Sequence, residues 1–414
     1  MTAVAIRGGA LSTVAAMLLY GGFCVPAPPA LRAVEWLIGL LTVASIGWRW
    51  PLSVAIGHAL RTSPNEGPNE GPNEGWMPVA VAAFAWLLWV PLLRGAALGW
   101  EAADILRDVV PLVFLFLPVL LVPVLRSGGR AAVRALTLSV ALAGLLLTLR
   151  WWQQAGWGFG AIGRRAMADG GVYLLNAPSV LFAAVALPAL ALSLIGAGNR
   201  VRNWFAAFPC ALGGALCLGA LAGAVHRTAL ALAALSLALT ALWWVPRRPW
   251  LVIPLLLGFG LLAYLLGDVL VGAWQQVAEK TRLTGGNARW EEAAAVIDNA
   301  VETPWALLFG DGWGARIANP AVGGWRVGYT HMLASYSLLK TGLVGTVALG
   351  AYLGALVRPW FRLLVADPPL AFSVVPPLLM ALCLHTSFKY FDTGIILSLM
   401  VLAAEGRKGL SEPR

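Results

Sequence analysis

Long apolar runs limit this chain more than any other feature. Residues 109–125 and 174–195 carry no charged side chain. A helix needs about 20 apolar residues to cross the ~30 Å hydrocarbon core of a bilayer. Twelve segments qualify, near 10–25, 31–48, 77–93, 109–125, 131–149, 174–195, 203–224, 228–245, 249–267, 332–357, 366–384 and 390–404, the last being the shortest. Charged residues make up 12% of the chain and hydrophobic ones 59%, against roughly 25% charged in soluble domains. The expectation is an all-α, polytopic membrane protein, one transmembrane domain over residues 1–414.

Between the second and third segments, Pro64-Asn65-Glu66-Gly67 recurs at 68–71 and 72–75. Pro, Gly and Asn stop both helix and strand, so 63–75 reads as a low-complexity linker. Cys24, Cys210, Cys217 and Cys383 all lie in apolar runs. They read as small buried hydrophobes, not as disulfides or metal ligands. The first run is expected to be a retained span, not a cleaved signal peptide, because further spans follow at once. No internal repeat is visible, which counts against an inverted-repeat transporter.

The formal charge is +10, and lysine occurs only at 280, 340, 389 and 408. Arginine serves both the positive-inside rule and bidentate capture of phosphate. No soluble basic domain is present, which argues against nucleic acid as a partner. The short loops on one side carry Arg126, Arg130, Arg134, Arg200, Arg202, Arg247, Arg248, Arg358 and Arg362. That side is expected to be cytoplasmic, together with both chain ends and the linker. The loop 268–330 then lies outside, as do 94–108, 150–173, 225–227 and 385–393. This assignment gathers His226, Arg227, Arg289, His331, His385, Lys389 and Asp392 on the outer face.

Inside the large loop, Ala288–Val301 is expected to be an amphipathic helix with Asn287 as its cap. Trp290, Ala294, Ile297 and Val301 share one apolar face, with Glu291 and Asp298 opposite, so the helix should lie on the outer membrane surface. Arg289 and Arg227 both fall in first turns of helices, where a cation costs about 0.3–1 kcal/mol. A bound anion would offset that cost; interfacial snorkelling and plain solvation are the blander accounts. His331 opens the tenth span, where an imidazole can exchange protons near neutral pH and act as a general base. Gly310-Asp311-Gly312-Trp313-Gly314 is a tight turn leading toward it, with Tyr329 just ahead of the histidine. No strand precedes that turn, so it is no dinucleotide fingerprint. Arg164, Arg165 and Asp169 are further polar candidates in the loop 150–173. The histidines and aspartates match no metal-ligand spacing, so no metal is expected.

Taken together, Arg227, Arg289, the 310–314 turn and the run from His331 to Gly345 resemble the O-antigen ligase and polymerase superfamily. The His331…Leu…Gly342-Leu343-Val344-Gly345 helix is similar to that family's His…Leu…Gly-Leu-x-Gly pattern. Met332 departs from it, since many relatives carry a polar residue there. The resemblance implies a GT-C-like glycosyltransferase of the bacterial inner membrane, with its active site on the periplasmic face. It implies transfer of a glycan from undecaprenyl diphosphate to lipid A–core (ligase) or to a second lipid-linked glycan (polymerase), without metal or other cofactor. His331 would be the base, and Arg227 and Arg289 would bind the diphosphate. His226, Asp311, Tyr329, Lys389, Asp392, Arg164 and Arg165 would support them. The chain length tilts the balance to the ligase. From a different class, a sugar or anion transporter would line a path with the same arginines. It should then place charges near the midplane, where only Lys340 is deep.

Overall fold

The computed structural model describes residues 3–25, 32–60, 75–156, 172–197, 201–224, 226–251, 260, 264 and 288–405. Arg164, Arg165, Asp169, nearly all of the 63–75 linker and most of the ninth expected span lie outside them. The helices are α1 (Ala3–Phe23), α2 (Ala33–Ile46), α3 (Arg49–Ala55), α4 (Trp76–Ala97), α5 (Ala102–Leu115), α6 (Leu117–Leu125) and α7 (Gly129–Gln154). The short α8 (Val172–Leu175) leads into α9 (Pro178–Gly196), α10 (Val201–Gly223) and α11 (Arg227–Trp244). A layer at one end of the bundle, termed the outer layer for its place on the helices and not for a side of the membrane, holds α12 (Ala288–Val301), α13 (Pro304–Phe309) and a ribbon of β1 (Ile317–Asn319) and β2 (Trp325–Val327). The chain returns through α14 (Leu333–Ala366), α15 (Pro368–Leu379) and α16 (Phe391–Glu405). The protein is helical apart from that one antiparallel ribbon among the described residues, in which Ile317 pairs with Val327.

Six helices among the described residues are long and apolar enough to cross a membrane, or up to seven if the bent pair α2–α3 counts as one span. The chain is thus a multi-pass membrane protein by helix length and composition. The stretch Ala102–Gln154 qualifies as a single 53-residue run, ~80 Å at 1.5 Å per residue, enough for two crossings. Side-chain contacts show that it reverses. Asp104 near its start pairs with Arg316 of the outer layer at 2.5 Å. Arg126 donates to Glu405, at the end of α16, at 2.8 Å. Arg150 near the end of α7 donates to the carbonyls of Gly21 and Cys24, at the end of α1. Tyr20 of α1 reaches Asp392, at the start of α16. The two ends of α16 therefore mark two faces. Trp76, Arg126 and Glu405 meet at one, because Trp76 also donates to Glu405 at 3.3 Å. The ends of α1 and α7 and the starts of α9 and α16 meet at the other.

The expected loop 94–108 is mostly helix. α4 continues to Ala97, and α5 begins at Ala102. Along α5, Asp104, Asp108, Leu112 and Leu115 are all buried. Their spacing is that of one helical stripe, so two carboxylates stand in phase with the apolar residues that face the bundle.

α14 runs for 34 residues but is not continuous: Gly342 has φ 64° and ψ −167°. Only glycine adopts such a conformation without strain. The break withdraws the amides that would close helical bonds to the carbonyls of Leu339 and Lys340. The 310–314 turn replaces them. Asp311 N–H donates to the Leu339 carbonyl at 2.9 Å and Gly312 N–H to the Lys340 carbonyl at 3.0 Å. The turn uses positive φ at Gly310, Gly312 and Gly314. Its other side abuts α4, where Trp313 N–H donates to the Pro91 carbonyl at 3.0 Å and the indole to the Leu87 carbonyl at 3.0 Å. Gly95 permits that approach, since a Cβ there would stand 2.2 Å from the Trp313 carbonyl oxygen. The expected turn is present, and it locks the outer layer into the break of α14.

Candidate functional site

His331 lies just before the first turn of α14, with Met332 as the capping position in extended conformation. Thr330, Ser335 and the Met332 carbonyl stitch this entry together through hydroxyl hydrogen bonds at 3.0–3.1 Å. The imidazole is partly exposed, and its Nδ1 stands 2.6 Å from Glu292 Oε2. His331 N–H donates to Glu292 Oε1 at 2.5 Å. The Asn319 amide donates to Glu292 Oε2 at 2.9 Å and to the Tyr329 carbonyl at 3.3 Å. Glu292 is 1% exposed. Burial alone would raise its pKa. The hydrogen bonds from the His331 ring, Asn319 and the His331 backbone outweigh burial and hold it below the ordinary 4.5.

α12 occupies the expected residues, but its inward stripe differs from its most apolar one. Glu292, Val296 and Ala300 are buried, with Val296 packed on Ile317 and Leu339. Trp290, Ile297 and Val301, the predicted apolar face, point away from the protein at 73%, 51% and 60% exposure. A helix with both stripes apolar can seat one on protein and leave the other for the membrane surface. Arg289 belongs to the first turn of α12 and is exposed.

His385 follows a π-helical turn, Met380–Leu384, and its Nδ1 is 3.0 Å from Ser387 Oγ. Turns of this kind recur at functional sites. Burial pushes the His385 pKa down to about 4, and the charges of His226, His331 and Arg289 push the same way. That electrostatic coupling places His226, Arg289, His331 and His385 in one neighbourhood. They come from four separate segments: the lead into α11, the first turn of α12, the lead into α14 and the link after α15. Tyr329 completes the group, its ring 6.1 Å from that of His331. Its hydroxyl is shifted up by burial, then by Tyr173 and Glu292. Arg227 is the first residue of α11, directly after His226, and is partly buried.

Other expected site residues go elsewhere. The Asp311 carboxylate accepts from the Asn299 amide at 2.8 Å, and its carbonyl from the Trp100 indole at 2.8 Å. It fastens α12 and the link between α4 and α5 to the turn. Asp392 is fully buried and accepts from the Tyr20 hydroxyl at 3.1 Å and the Ser179 N–H at 2.8 Å. Ser179 is in the first turn of α9, so the carboxylate satisfies an open helix amide. Lys389 lies over the Tyr336 ring at 4.0 Å and 4.0 Å from Asp108 Oδ1.

A second polar cluster was not expected. Lys340 is fully buried, and its ammonium is 2.6 Å from Asp108 Oδ2 and bonded to the Ala315 carbonyl. Asp108 also accepts from the Tyr336 hydroxyl at 2.7 Å and Gly314 N–H at 2.8 Å. This cluster binds α5, α14 and the 310–315 segment into one joint beneath His331. Among the described residues no group of three or more His, Cys, Asp or Glu could hold a metal ion. No protein-family model matches the chain, and none of the curated proteins matches it significantly.

Proposed function

We propose that this chain is a glycosyltransferase of the O-antigen ligase and polymerase superfamily, with twelve spans and a GT-C-like arrangement, in the bacterial inner membrane. It transfers glycan from undecaprenyl diphosphate to lipid A–core on the periplasmic face, with no metal or other cofactor. The observation that carries the reading is the gathering of His331, Arg289, His226 and His385 at one end of an apolar bundle, at the mouth of α14. A lipid-borne donor places its diphosphate at that depth, where bilayer gives way to water. His331 takes the proton of the acceptor hydroxyl as that oxygen attacks the anomeric carbon. Arg227 and Arg289 stabilise the charge that grows on the departing diphosphate. The amphipathic α12 lies along the outer leaflet and brings the lipid-linked glycan to the histidine.

The transporter reading is less well supported. It expects unpaired charges along a path, whereas the deep Lys340 is held by Asp108 and the Ala315 carbonyl. The test is reconstitution of the purified protein with undecaprenyl-diphosphate glycan and lipid A–core. A joined product is expected, and His331→Ala should lose it while remaining folded. Wild-type turnover in that variant refutes the base assignment. Product only with a second lipid-linked glycan moves the protein to the polymerase branch.

A further inference from the structure

Two N–H donors, the His331 backbone and the Asn319 amide, and the His331 ring nitrogen Nδ1 converge on the two oxygens of Glu292. The orientation of that amide is fixed independently, because Asn319 Oδ1 accepts the Ala321 N–H at 2.9 Å. Its NH₂ must therefore face Glu292. An ionised carboxylate only accepts, so the contacting ring nitrogen carries a proton. A ring in water favours the opposite tautomer, with the proton on Nε2. The partner of one ring nitrogen decides the chemistry of the other.

We propose that Glu292 is a positioning residue: it holds the His331 imidazole as the Nδ1–H tautomer and so presents a bare Nε2 to the acceptor hydroxyl. The assignment rests on the transfer reading for the identity of that hydroxyl, but not for the tautomer. The charged and titratable groups around the ring come from several elements. Glu292 and Arg289 stand on α12, Tyr329 directly precedes the histidine, and His385 stands on the link after α15. His226 ahead of α11 is coupled through His385. Of these, Glu292 meets Nδ1 at hydrogen-bond distance.

A glutamine at this position would offer one acceptor oxygen to three donors. With that oxygen kept on the His331 backbone, its NH₂ would face Nδ1. The ring would then have to accept there and move its proton to Nε2. The experiment is nitrogen NMR of the full-length protein, histidine-labelled and embedded in nanodiscs. It is run at about pH 9, where an ordinary histidine ring is neutral. The chain has 4 histidines, and His331→Gln assigns the relevant pair of signals. Wild type should show a protonated Nδ1 and a bare Nε2, and Glu292→Gln should reverse them. Asn319→Ala, which keeps the carboxylate on the ring, should leave the tautomer unchanged. In the transfer assay Glu292→Gln should lower kcat by about 10²–10⁴-fold with little change in KM. A wild-type ring protonated on Nε2 overturns the proposal and needs no variant to fold. So does an unchanged tautomer in folded Glu292→Gln. If the tautomers behave as stated but no glycan is transferred, the transfer reading fails while the positioning role stands.

Discussion

Replacing Lys340 with methionine tests the joint on which the outer layer rests. Removing one partner of a buried ion pair costs about 3–5 kcal/mol, because the remaining charge is left uncompensated. In Lys340→Met, Asp108 keeps its hydrogen bonds from Tyr336 and Gly314, and Lys389 stays 4.0 Å from its other oxygen. The loss should fall at the lower end, about 3 kcal/mol. Asp108→Asn is harsher. It leaves the Lys340 ammonium in a fully buried site with the Ala315 carbonyl, and with Lys389 as a second cation, 4.0 Å from Asp108 Oδ1 in the wild type. About 5 kcal/mol is expected there. The double variant carries neither charge. Its asparagine can accept from Gly314 N–H through its one amide oxygen and donate its NH₂ to the Tyr336 hydroxyl, so it should lie within about 1–2 kcal/mol of wild type. The assay is reversible unfolding in mixed micelles at fixed lipid content, read as a double-mutant cycle. Additive losses, or single losses under about 1 kcal/mol, would refute the joint.

If Arg227 and Arg289 grip one diphosphate, alanine at either should abolish transfer, and the double variant should be little worse than the singles in turnover assays. Equal binding of undecaprenyl diphosphate by both single variants, with transfer retained, would make them interfacial anchors. Topology is tested with Ala318→Cys, an exposed position in β1, in a background without other cysteines. An impermeant thiol reagent should label it in intact spheroplasts, and labelling only after disruption would reverse the orientation. Stability should fall in acid through His385. Its folded pKa of about 4 lies below the ordinary 6.5, so the unfolded chain binds the proton first. The loss begins below pH 6.5, grows to ~3 kcal/mol by pH 4 and should vanish from the pH dependence of unfolding in His385→Gln.

The all-helical, multi-pass character was legible because apolar length is strong evidence for a bilayer span. Against twelve expected segments, six to seven helices among the described residues are long and apolar enough to cross. α4, α9, α10 and α11 lie within a few residues of where apolar length put them, and α12, expected from its amphipathic pattern as a helix of the large loop, occupies the residues assigned to it. Part of the expected grouping is present as well: His226, Arg289, His331 and His385 share one neighbourhood, whereas Lys389 and Asp392 are bound into other contacts. The carboxylates were missed. Glu292 was passed over as one loop charge among many, and Asp108 was assigned to a connection. A signal existed for both. Asp104, Asp108, Leu112 and Leu115 share one stripe, as do Glu292, Val296 and Ala300. A carboxylate in phase with an apolar stripe will be buried, and a buried carboxylate needs partners. What no pattern supplied was the identity of those partners. Lys340 and His331 are far from them in sequence, and only the break at Gly342 gives Lys340 its place under the turn.

That break explains how a flexible-looking loop can hold a histidine in place. An unbroken α14 would satisfy its own carbonyls and give the outer layer nothing to bind. With Gly342 turned out of the helix, the Leu339 and Lys340 carbonyls accept from Asp311 and Gly312, and Asp108 accepts from Gly314. The same segment continues into β1, whose Asn319 meets Glu292, and Glu292 in turn meets His331. The path from the bundle to the imidazole thus runs through hydrogen bonds to buried or capped groups, and it closes on α14 itself. Gly342→Ala attacks the path at its origin. The new Cβ would stand 2.4 Å from the Gly310 nitrogen, at a φ of +64°. Straightening the helix would relieve that strain and release the turn. The expected result is faster hydrogen exchange at 310–331 with the spans still protected, and loss of any activity that depends on His331. Unchanged exchange in that segment would show that the outer layer is held by something other than the broken helix.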